Sequence, residues 1–251
     1  MTVRYEREDK VAIITIDRPQ RRNAIDYETA RELRDAWRRF FDDDTVAVAI
    51  LAGAGGTFCA GADLKSFDLT DHEDGWLGFT RLDSPKPTIA AIEGYCVAGG
   101  LELALWCDLR VAADTAKFGC YERRWEVPLI DGGTQRLSRI VGLGRALDIL
   151  LTGRTVLADE ALAIGLINRV TPVGEALENA TALASLIAAY PQDTVRSDRR
   201  AMLDGIGLTL ADGLERETHL GRQVMDVARS GAKRFESGRG REGAGVPGGE
   251  T

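Results

Sequence analysis

The chain has 251 residues and a mass of 27.2 kDa, enough for one large domain or one domain with a helical appendage. Hydrophobic residues make up 44% and charged residues 28%, which excludes collagen-like, disulfide-scaffold and wholly disordered chains. A formal net charge of -7 and a pI near 5.1 argue against general attraction to nucleic acid or to an anionic membrane.

The cysteines and the N-terminal residues indicate where the protein works. The four cysteines form no CxxC pair and no zinc-ligand spacing, and with only two histidines we expect no metal site. Scattered thiols fit a reducing compartment. The first six residues lack the apolar stretch of a signal peptide, and glycines interrupt the longest uncharged run, residues 45–62. We therefore expect a soluble, cytoplasmic protein with no membrane partner.

The first half of the chain alternates strand patterns with helix patterns. Residues 11–16 are a β-branched run ended by Pro19, and Asp26 occupies the N-cap position of a helix that extends to about residue 41. Further strands are predicted over residues 46–51, 88–92, 111–113 and 117–118, with a helix over residues 101–106. This alternation predicts an α/β core.

From about Gly133 the pattern becomes helical. Helices are predicted over residues 137–150, 158–164, 176–189 and 210–228, and Gly165 fits the position that ends the second of them. We divide the chain into a core over residues 1–190, a helical region over residues 191–237 and a flexible glycine-rich tail over residues 238–251.

Two parts of the chain have no regular pattern. Residues 66–87 are polar and acidic with embedded aromatic residues, as in a loop or short helices over a pocket, although a solvated connection fits equally well. The tail matches GxGxxG twice, at Gly238 and Gly243, but neither match follows a strand or opens a helix, so we expect no dinucleotide site there. Phosphate-loop and GxSxG motifs are absent from the sequence.

Three glycine-bearing segments remain, at residues 58–65, 94–102 and 118–137. The first two connect a predicted strand to a predicted helix, and each offers backbone N–H groups at a helix N-terminus, where an oxyanion is stabilised. Asp63 is placed to cap the helix that would follow it.

These segments, with residues 18–25, resemble the enoyl-CoA hydratase/isomerase (crotonase) superfamily. The resemblance runs from about Val3 to residue 168 and continues more weakly to Phe235. It implies the crotonase fold, an α/β spiral of repeated ββα units with a C-terminal helical region that mediates trimer contacts. It also implies an acyl-CoA thioester as substrate, no separate cofactor, no nucleic-acid partner, and a homotrimer or a dimer of trimers.

The resemblance also implies roles for individual residues. The backbone amides of Ala62 and Gly99 would hold the thioester oxygen, and Glu102 and Glu122 would act as the acid–base pair of a hydratase. The substrate would further contact residues of two loops: Arg22, Ala24, Ala60, Asp63, Leu64 and Lys65.

The segment after Glu122 departs from the pattern of hydratases. Glu126 stands where glycine is common, and Asp131 resembles the third carboxylate that dienoyl-CoA isomerases place before a Gly-Thr pair. Asp131 is therefore a further candidate catalytic residue, although it could also cap the helix near Gly133. The main prediction is an enoyl-CoA hydratase. The alternatives are an enoyl-CoA or dienoyl-CoA isomerase and a non-catalytic acyl-CoA-binding protein.

Overall fold

The structure, a computed structural model, describes residues 1–237. Its larger sheet contains six strands in the order β1-β2-β3-β4-β6-β9, and its smaller sheet contains three in the order β5-β7-β8. The strands are β1 Val3–Glu8, β2 Val11–Ile16, β3 Val48–Gly53, β4 Thr88–Ile92, β5 Tyr95–Val97, β6 Leu109–Ala113, β7 Lys117–Gly119, β8 Val156–Leu157 and β9 Arg169–Thr171. Apart from the antiparallel β1–β2 and β7–β8 pairs, neighbouring strands run parallel.

Helices connect and cover these strands. They are α1 Tyr27–Asp42, α2 Gly99–Trp106, α3 Gly133–Val141, α4 Leu143–Thr152, α5 Ala158–Ala163, α6 Ala176–Ala189, α7 Gln192–Asp204, α8 Leu210–Gln223 and α9 Met225–Glu236. In the middle of the chain, β4 joins the large sheet and β5 the small one before α2. The same order repeats with β6, β7 and α3. This repeated ββα arrangement confirms the predicted spiral.

Strands β2, β3 and β4 of the large sheet are buried on both faces, as nearly continuous apolar strands require. On one face, β2, β3, β4 and β6 pack against small and branched side chains of α6. The other face forms the main core with α1 and α2, which includes Trp37, Phe40 and Phe118. The two cores hold the ends of β3, β4 and β5 in fixed positions, and the glycine-bearing turns follow these ends.

Several element predictions need correction. The strand predicted over residues 46–51 lies at Val48–Gly53, and the helix predicted over residues 210–228 is two helices, α8 and α9, separated at Val224. Residues 66–87 contain turns and no helix. No helix follows Asp63, whose carboxylate instead accepts a hydrogen bond from the Lys65 N–H at 3.1 Å.

Gly165 has the positive φ expected of a residue just beyond a helix, here α5. The division at residue 190 stays a prediction, and the predicted tail, residues 238–251, lies outside the described residues. Within residues 1–237, no helix has the length and apolar character to cross a bilayer.

Candidate active site

A cavity of about 720 Å³ lies between the glycine-bearing turns, residues 64–77 and the segment that leads into α3. Nine of the predicted site residues line it: Arg22, Ala60, Ala62, Leu64, Lys65, Gly99, Glu102, Glu122 and Asp131. Two do not, Ala24 and Asp63. The structure therefore brings three carboxyl groups and the two predicted oxyanion-binding amides to one cavity.

The amides of Ala62 and Gly99 lie side by side. A Cβ atom added to Gly61 would lie 2.8 Å from the Gly99 nitrogen, and one added to Gly99 would lie 3.5 Å from the Ala62 nitrogen. Within residues 1–237, the hydrogen bonds of loops and caps use neither N–H. Gly99 is the first residue of α2, so its N–H has no acceptor inside the helix, and the preceding Ala98 has φ 51° and ψ -130°. The pair forms a donor site open to the cavity.

Asp63 follows Ala62 but is not among the residues that line the cavity. Its carboxylate is buried and accepts from the Arg18 guanidinium at 3.1 Å, and Arg18 also pairs with Asp26 at 2.7 Å. The guanidinium further donates to the carbonyl oxygen of Ala24. A buried Arg18 must be paired, and both Asp63 and Ala24 provide its acceptors. Contact of these two residues with the substrate stays a prediction.

Glu102 is a buried glutamate near the N-terminus of α2. Its Oε1 accepts hydrogen bonds from the N–H groups of Asp131 at 3.0 Å and Gly133 at 2.8 Å, so it caps the first turn of α3. Its pKa is raised to about 8, mainly by burial; the negative charges of Asp131 and Glu122 contribute to the rise, and the two N–H donors oppose it. The carboxyl group is fixed in place and holds a proton near neutral pH.

Glu122 lies in a 3₁₀ turn, residues Tyr121–Trp125, that follows β7. It is 4% exposed, and neither carboxylate oxygen has a hydrogen-bond partner among the described residues. The nearest cation is Arg123, whose Nε lies 3.6 Å from Oε1, beyond a good hydrogen bond. Burial raises the pKa of Glu122. Buried polar atoms normally have partners, so this carboxyl group is placed to bind a water molecule or a ligand group.

Asp131 lies between Glu102 and the irregular segment 66–87. Its Oδ1 accepts from the Thr80 hydroxyl and, at 3.3 Å, from the Leu77 N–H. Burial raises its pKa. The carboxylate does not cap α3, as the sequence allowed, because Glu102 takes that position.

The cavity has a basic edge and an apolar wall. The guanidinium of Arg22 and the ammonium of Lys117 each lie 5.3 Å from the centre of the Tyr95 ring. Residues of segments 66–87 and 121–131 form the wall: Phe67, Leu69, Trp76, Leu77, Trp125, Val127, Pro128, Leu129 and Ile130. Such a site suits an elongated ligand with an anionic end and an apolar end.

Sequence reasoning missed several of these residues. Tyr95, Leu77 and Trp125 were not predicted as site residues, and Arg136, which donates to the carbonyl oxygens of Asp131 and Thr80, resembles any helical arginine in the sequence. The embedded aromatic residues of segment 66–87 were the available signal, but the sequence left a loop over a pocket and a solvated connection equally open.

Comparison with known proteins decides the family. The family model for enoyl-CoA hydratase/isomerase matches residues 6–240, nearly the whole chain. The chain belongs to the enoyl-CoA hydratase/isomerase family. The family predicted from the glycine-bearing segments is thereby confirmed.

Relatives within this family cover most of the chain. A probable enoyl-CoA hydratase of Mycobacterium bovis is 39% identical over 225 residues, which are 87% of this chain and 88% of that protein. A crotonyl-CoA hydratase of Syntrophomonas wolfei is 39% identical over 210 residues, 80% of this chain and 81% of that one. The crystal structure of an enoyl-CoA hydratase from Mycobacterium marinum superposes with a TM-score of 0.91 at 37% identity, covering 95% and 96% of the two chains. The crotonase-type fold is confirmed by this match.

Proposed function

We propose that the protein is an enoyl-CoA hydratase, which adds water across the double bond of a 2-enoyl-CoA thioester. One observation carries the proposal: the paired N–H groups of Ala62 and Gly99 open into the same cavity as the buried carboxyl groups of Glu102 and Glu122. The names of the relatives support it. The donors stabilise the negative charge on the thioester oxygen, and the carboxyl groups move the protons.

Hydration of the double bond takes place in two steps. One carboxylate takes a proton from water as the water oxygen bonds to carbon 3 of the enoyl group, and the electrons of the double bond move to the thioester oxygen. The two N–H groups stabilise this enolate, a contribution of about 10²–10³-fold in rate for one donor. A carboxylic acid then returns a proton to carbon 2. Such a cycle needs one ionised and one protonated carboxyl group, and the raised pKa values of Glu102 and Glu122 keep a proton in the pair.

The CoA portion binds at the basic edge. Arg22 and Lys65 supply positive charge to its phosphates, while the backbone from Ala60 to Leu64 contacts the thioester arm. The reaction needs no separate cofactor, since proton transfers and an oxyanion site suffice. Calorimetry with acetoacetyl-CoA, a stable enolate-like ligand, in the presence of EDTA is expected to show binding. No heat at millimolar ligand would overturn the assignment.

Mutation of the carboxyl pair tests the chemistry. Glu102→Gln and Glu122→Gln are each expected to lower kcat on crotonyl-CoA by at least about 10²-fold, the scale of one general acid–base contribution. The matched control is Glu93→Gln, because Glu93 Oε1 likewise accepts two N–H groups, of Gly174 and Ala176, but lies outside the cavity lining. Unreduced kcat in Glu122→Gln would refute the hydratase assignment.

The presence of Asp131 supports one alternative, an enoyl-CoA or dienoyl-CoA isomerase that uses three carboxyl groups. Turnover of 3-enoyl- or 3,5-dienoyl-CoA without hydration of crotonyl-CoA would favour it. Binding of acetoacetyl-CoA with no turnover of any of these thioesters would identify a non-catalytic acyl-CoA-binding protein.

The enzyme assembles as a homotrimer or a dimer of trimers and works in the cytoplasm. Helices α8 and α9 bury no side chain in the isolated chain, and large apolar residues of α7 and α8, including Met202, Leu210 and Leu214, are exposed. The four cysteines are all buried and free, as a reducing compartment allows. Sedimentation at micromolar concentration is expected to give a trimer or larger, and a species of 27.2 kDa would contradict it.

A further inference from the structure

The segment 66–87, which forms part of the apolar wall, is connected to Glu102 through Asp131. Asp131 Oδ1 accepts from the Thr80 hydroxyl and the Leu77 N–H, while the Asp131 N–H donates to Glu102 Oε1 at 3.0 Å. The side chain of Asp131 thus binds the segment of the wall, and its backbone binds Glu102, one of the two glutamates of the proposed acid–base pair.

Arg136 closes this network. Its guanidinium donates to the carbonyl oxygen of Asp131 at 2.8 Å and to that of Thr80 at 2.5 Å. Thr80 and Asp131 are therefore connected twice, by a hydrogen bond between their side chains and by the Arg136 guanidinium between their carbonyl oxygens. Both residues are buried. Buried hydrogen bonds to a charged acceptor are stronger than neutral ones.

The wall contacts the oxyanion site directly. A Cβ atom added to Gly99 would lie 2.9 Å from Leu77 Cδ1, so this leucine side chain packs against the Gly99 backbone. Gly75 lies beside the contact between Asp131 and Thr80, because a Cβ atom added to Gly75 would lie 2.8 Å from Asp131 Oδ1. The position of Leu77 relative to the thioester site thus depends on the Asp131–Thr80 contact.

We propose that Asp131 is a positioning residue that holds the Leu77–Thr80 segment against the Gly99 turn and so sets the fit of the acyl group. This inference rests on the proposed hydratase function. The proposal assigns no reacting proton to Asp131, whose Oδ1 already accepts from the Thr80 hydroxyl and the Leu77 N–H.

Loosening the contact without touching Asp131 is the first test. Thr80→Val removes the hydroxyl donor and keeps the side-chain shape, and we expect kcat/KM on crotonyl-CoA to fall about tenfold, the scale of one lost buried hydrogen bond. The loss should lie mainly in KM, and the preference between crotonyl-CoA and 2-decenoyl-CoA should change by a similar factor. Thr15→Val, a buried threonine on β2 outside the cavity, is the matched control.

A second perturbation acts on both atoms of the contact. Gly75→Ala introduces a Cβ atom against Thr80 Oγ1 and Asp131 Oδ1 and strains a backbone with φ 105°, and it should reproduce the KM effect of Thr80→Val. The matched control is Gly56→Ala, which also has a positive φ but open space around the added atom. Normal KM values and normal acyl preference in both Thr80→Val and Gly75→Ala would overturn the proposal.

Substitution of Asp131 separates positioning from proton transfer. Asp131→Asn keeps an oxygen acceptor for Thr80 and Leu77, so it should recover most of the activity that Asp131→Ala loses. Combining Asp131→Ala with Thr80→Val should cost little more than Asp131→Ala alone, because Asp131→Ala already removes the acceptor of the Thr80 hydroxyl. A kcat reduced by about 10²-fold in Asp131→Asn, as expected for Glu122→Gln, would overturn the proposal and make Asp131 a proton carrier.

Hydrogen exchange distinguishes failure of this inference from failure of the hydratase assignment. If the wild-type protein hydrates no 2-enoyl-CoA, the function is wrong, but amides of residues 75–81 must still exchange faster in Thr80→Val than in the wild type. Faster exchange in this segment, with the rest of the chain unchanged, supports the contact. Unchanged exchange there would overturn it regardless of activity.

Discussion

The buried carboxyl group of Glu102 makes the stability of the fold depend on pH in a predictable direction. In the folded protein its pKa is about 8, whereas an ordinary glutamate titrates near 4.5. Between these values the folded state keeps a proton that the unfolded chain has lost, so the free energy of unfolding decreases by about 1.4 kcal/mol per pH unit. The destabilisation is absent below about pH 4.5 and complete above about pH 8.

Glu102→Gln removes this titration and keeps the oxygen that accepts from Asp131 and Gly133. The free energy of unfolding of the variant should exceed that of the wild type by less than about 1 kcal/mol at pH 5 and by about 3 kcal/mol at pH 7. From pH 5 to pH 8 this difference should grow by up to about 3.5 kcal/mol, which is an upper bound because Glu122 and Asp131 titrate nearby. The carboxyl group of Glu102, which we propose to be catalytic, is thus expected to lower the free energy of unfolding near neutral pH.

Urea unfolding of both proteins at pH 5, 6, 7 and 8, at one protein concentration, measures the difference. Glu93→Gln is the control, because the half-exposed Glu93 caps a helix in the same way without comparable burial. If the Glu102→Gln difference from the wild type changes between pH 5 and pH 8 by no more than the Glu93→Gln difference does, within about 0.5 kcal/mol, the desolvation assigned to Glu102 is wrong.

Two further substitutions test the support of the oxyanion site. Gly61→Ala places a Cβ atom 2.8 Å from the Gly99 nitrogen and should lower kcat on crotonyl-CoA by at least about 10²-fold. The control is Gly144→Ala in α4, where the added Cβ atom meets open space and kcat should not fall. Equal activity of the two variants would contradict this prediction. Asp63→Asn removes a buried partner of Arg18 and should lower the free energy of unfolding, measured in urea, by roughly 2 kcal/mol. The loss is smaller than for an Arg18 without any partner, because Asp26 remains. A change below about 0.5 kcal/mol would show that the pair does not stabilise the fold.

The fold and the centre of the site could be predicted because both depend on local patterns. The apolar runs of β2, β3 and β4 and the glycines after them have the periods and spacings of buried strands and tight turns. Their order along the chain was enough to indicate the family. Glu102 and Gly99 were found for the same reason, since they lie within one short motif at the start of α2.

The residues whose contacts could not be predicted are those whose environment is set by distant chain segments. Asp63 follows a substrate loop in the sequence, but its side chain faces Arg18, a residue 45 positions earlier. Asp131 appeared either catalytic or a helix cap, because nothing in the sequence shows that Thr80 lies beside it. The break at Val224 was missed because no proline marks it and the apolar pattern continues across it.

The aromatic contacts that anchor the apolar wall also affect the order in which parts of the chain fold. The Phe79 ring packs against Trp37 of α1 and Trp106 of α2, with ring centres 5.0 and 4.8 Å apart, and Trp106 Nε1 donates to the carbonyl oxygen of Leu82. Segment 66–87 therefore gains its anchors only after two helices separated by more than fifty residues have come together. Because such long-range closure is entropically costly, we expect this segment to become ordered only after α1 and α2 have packed together.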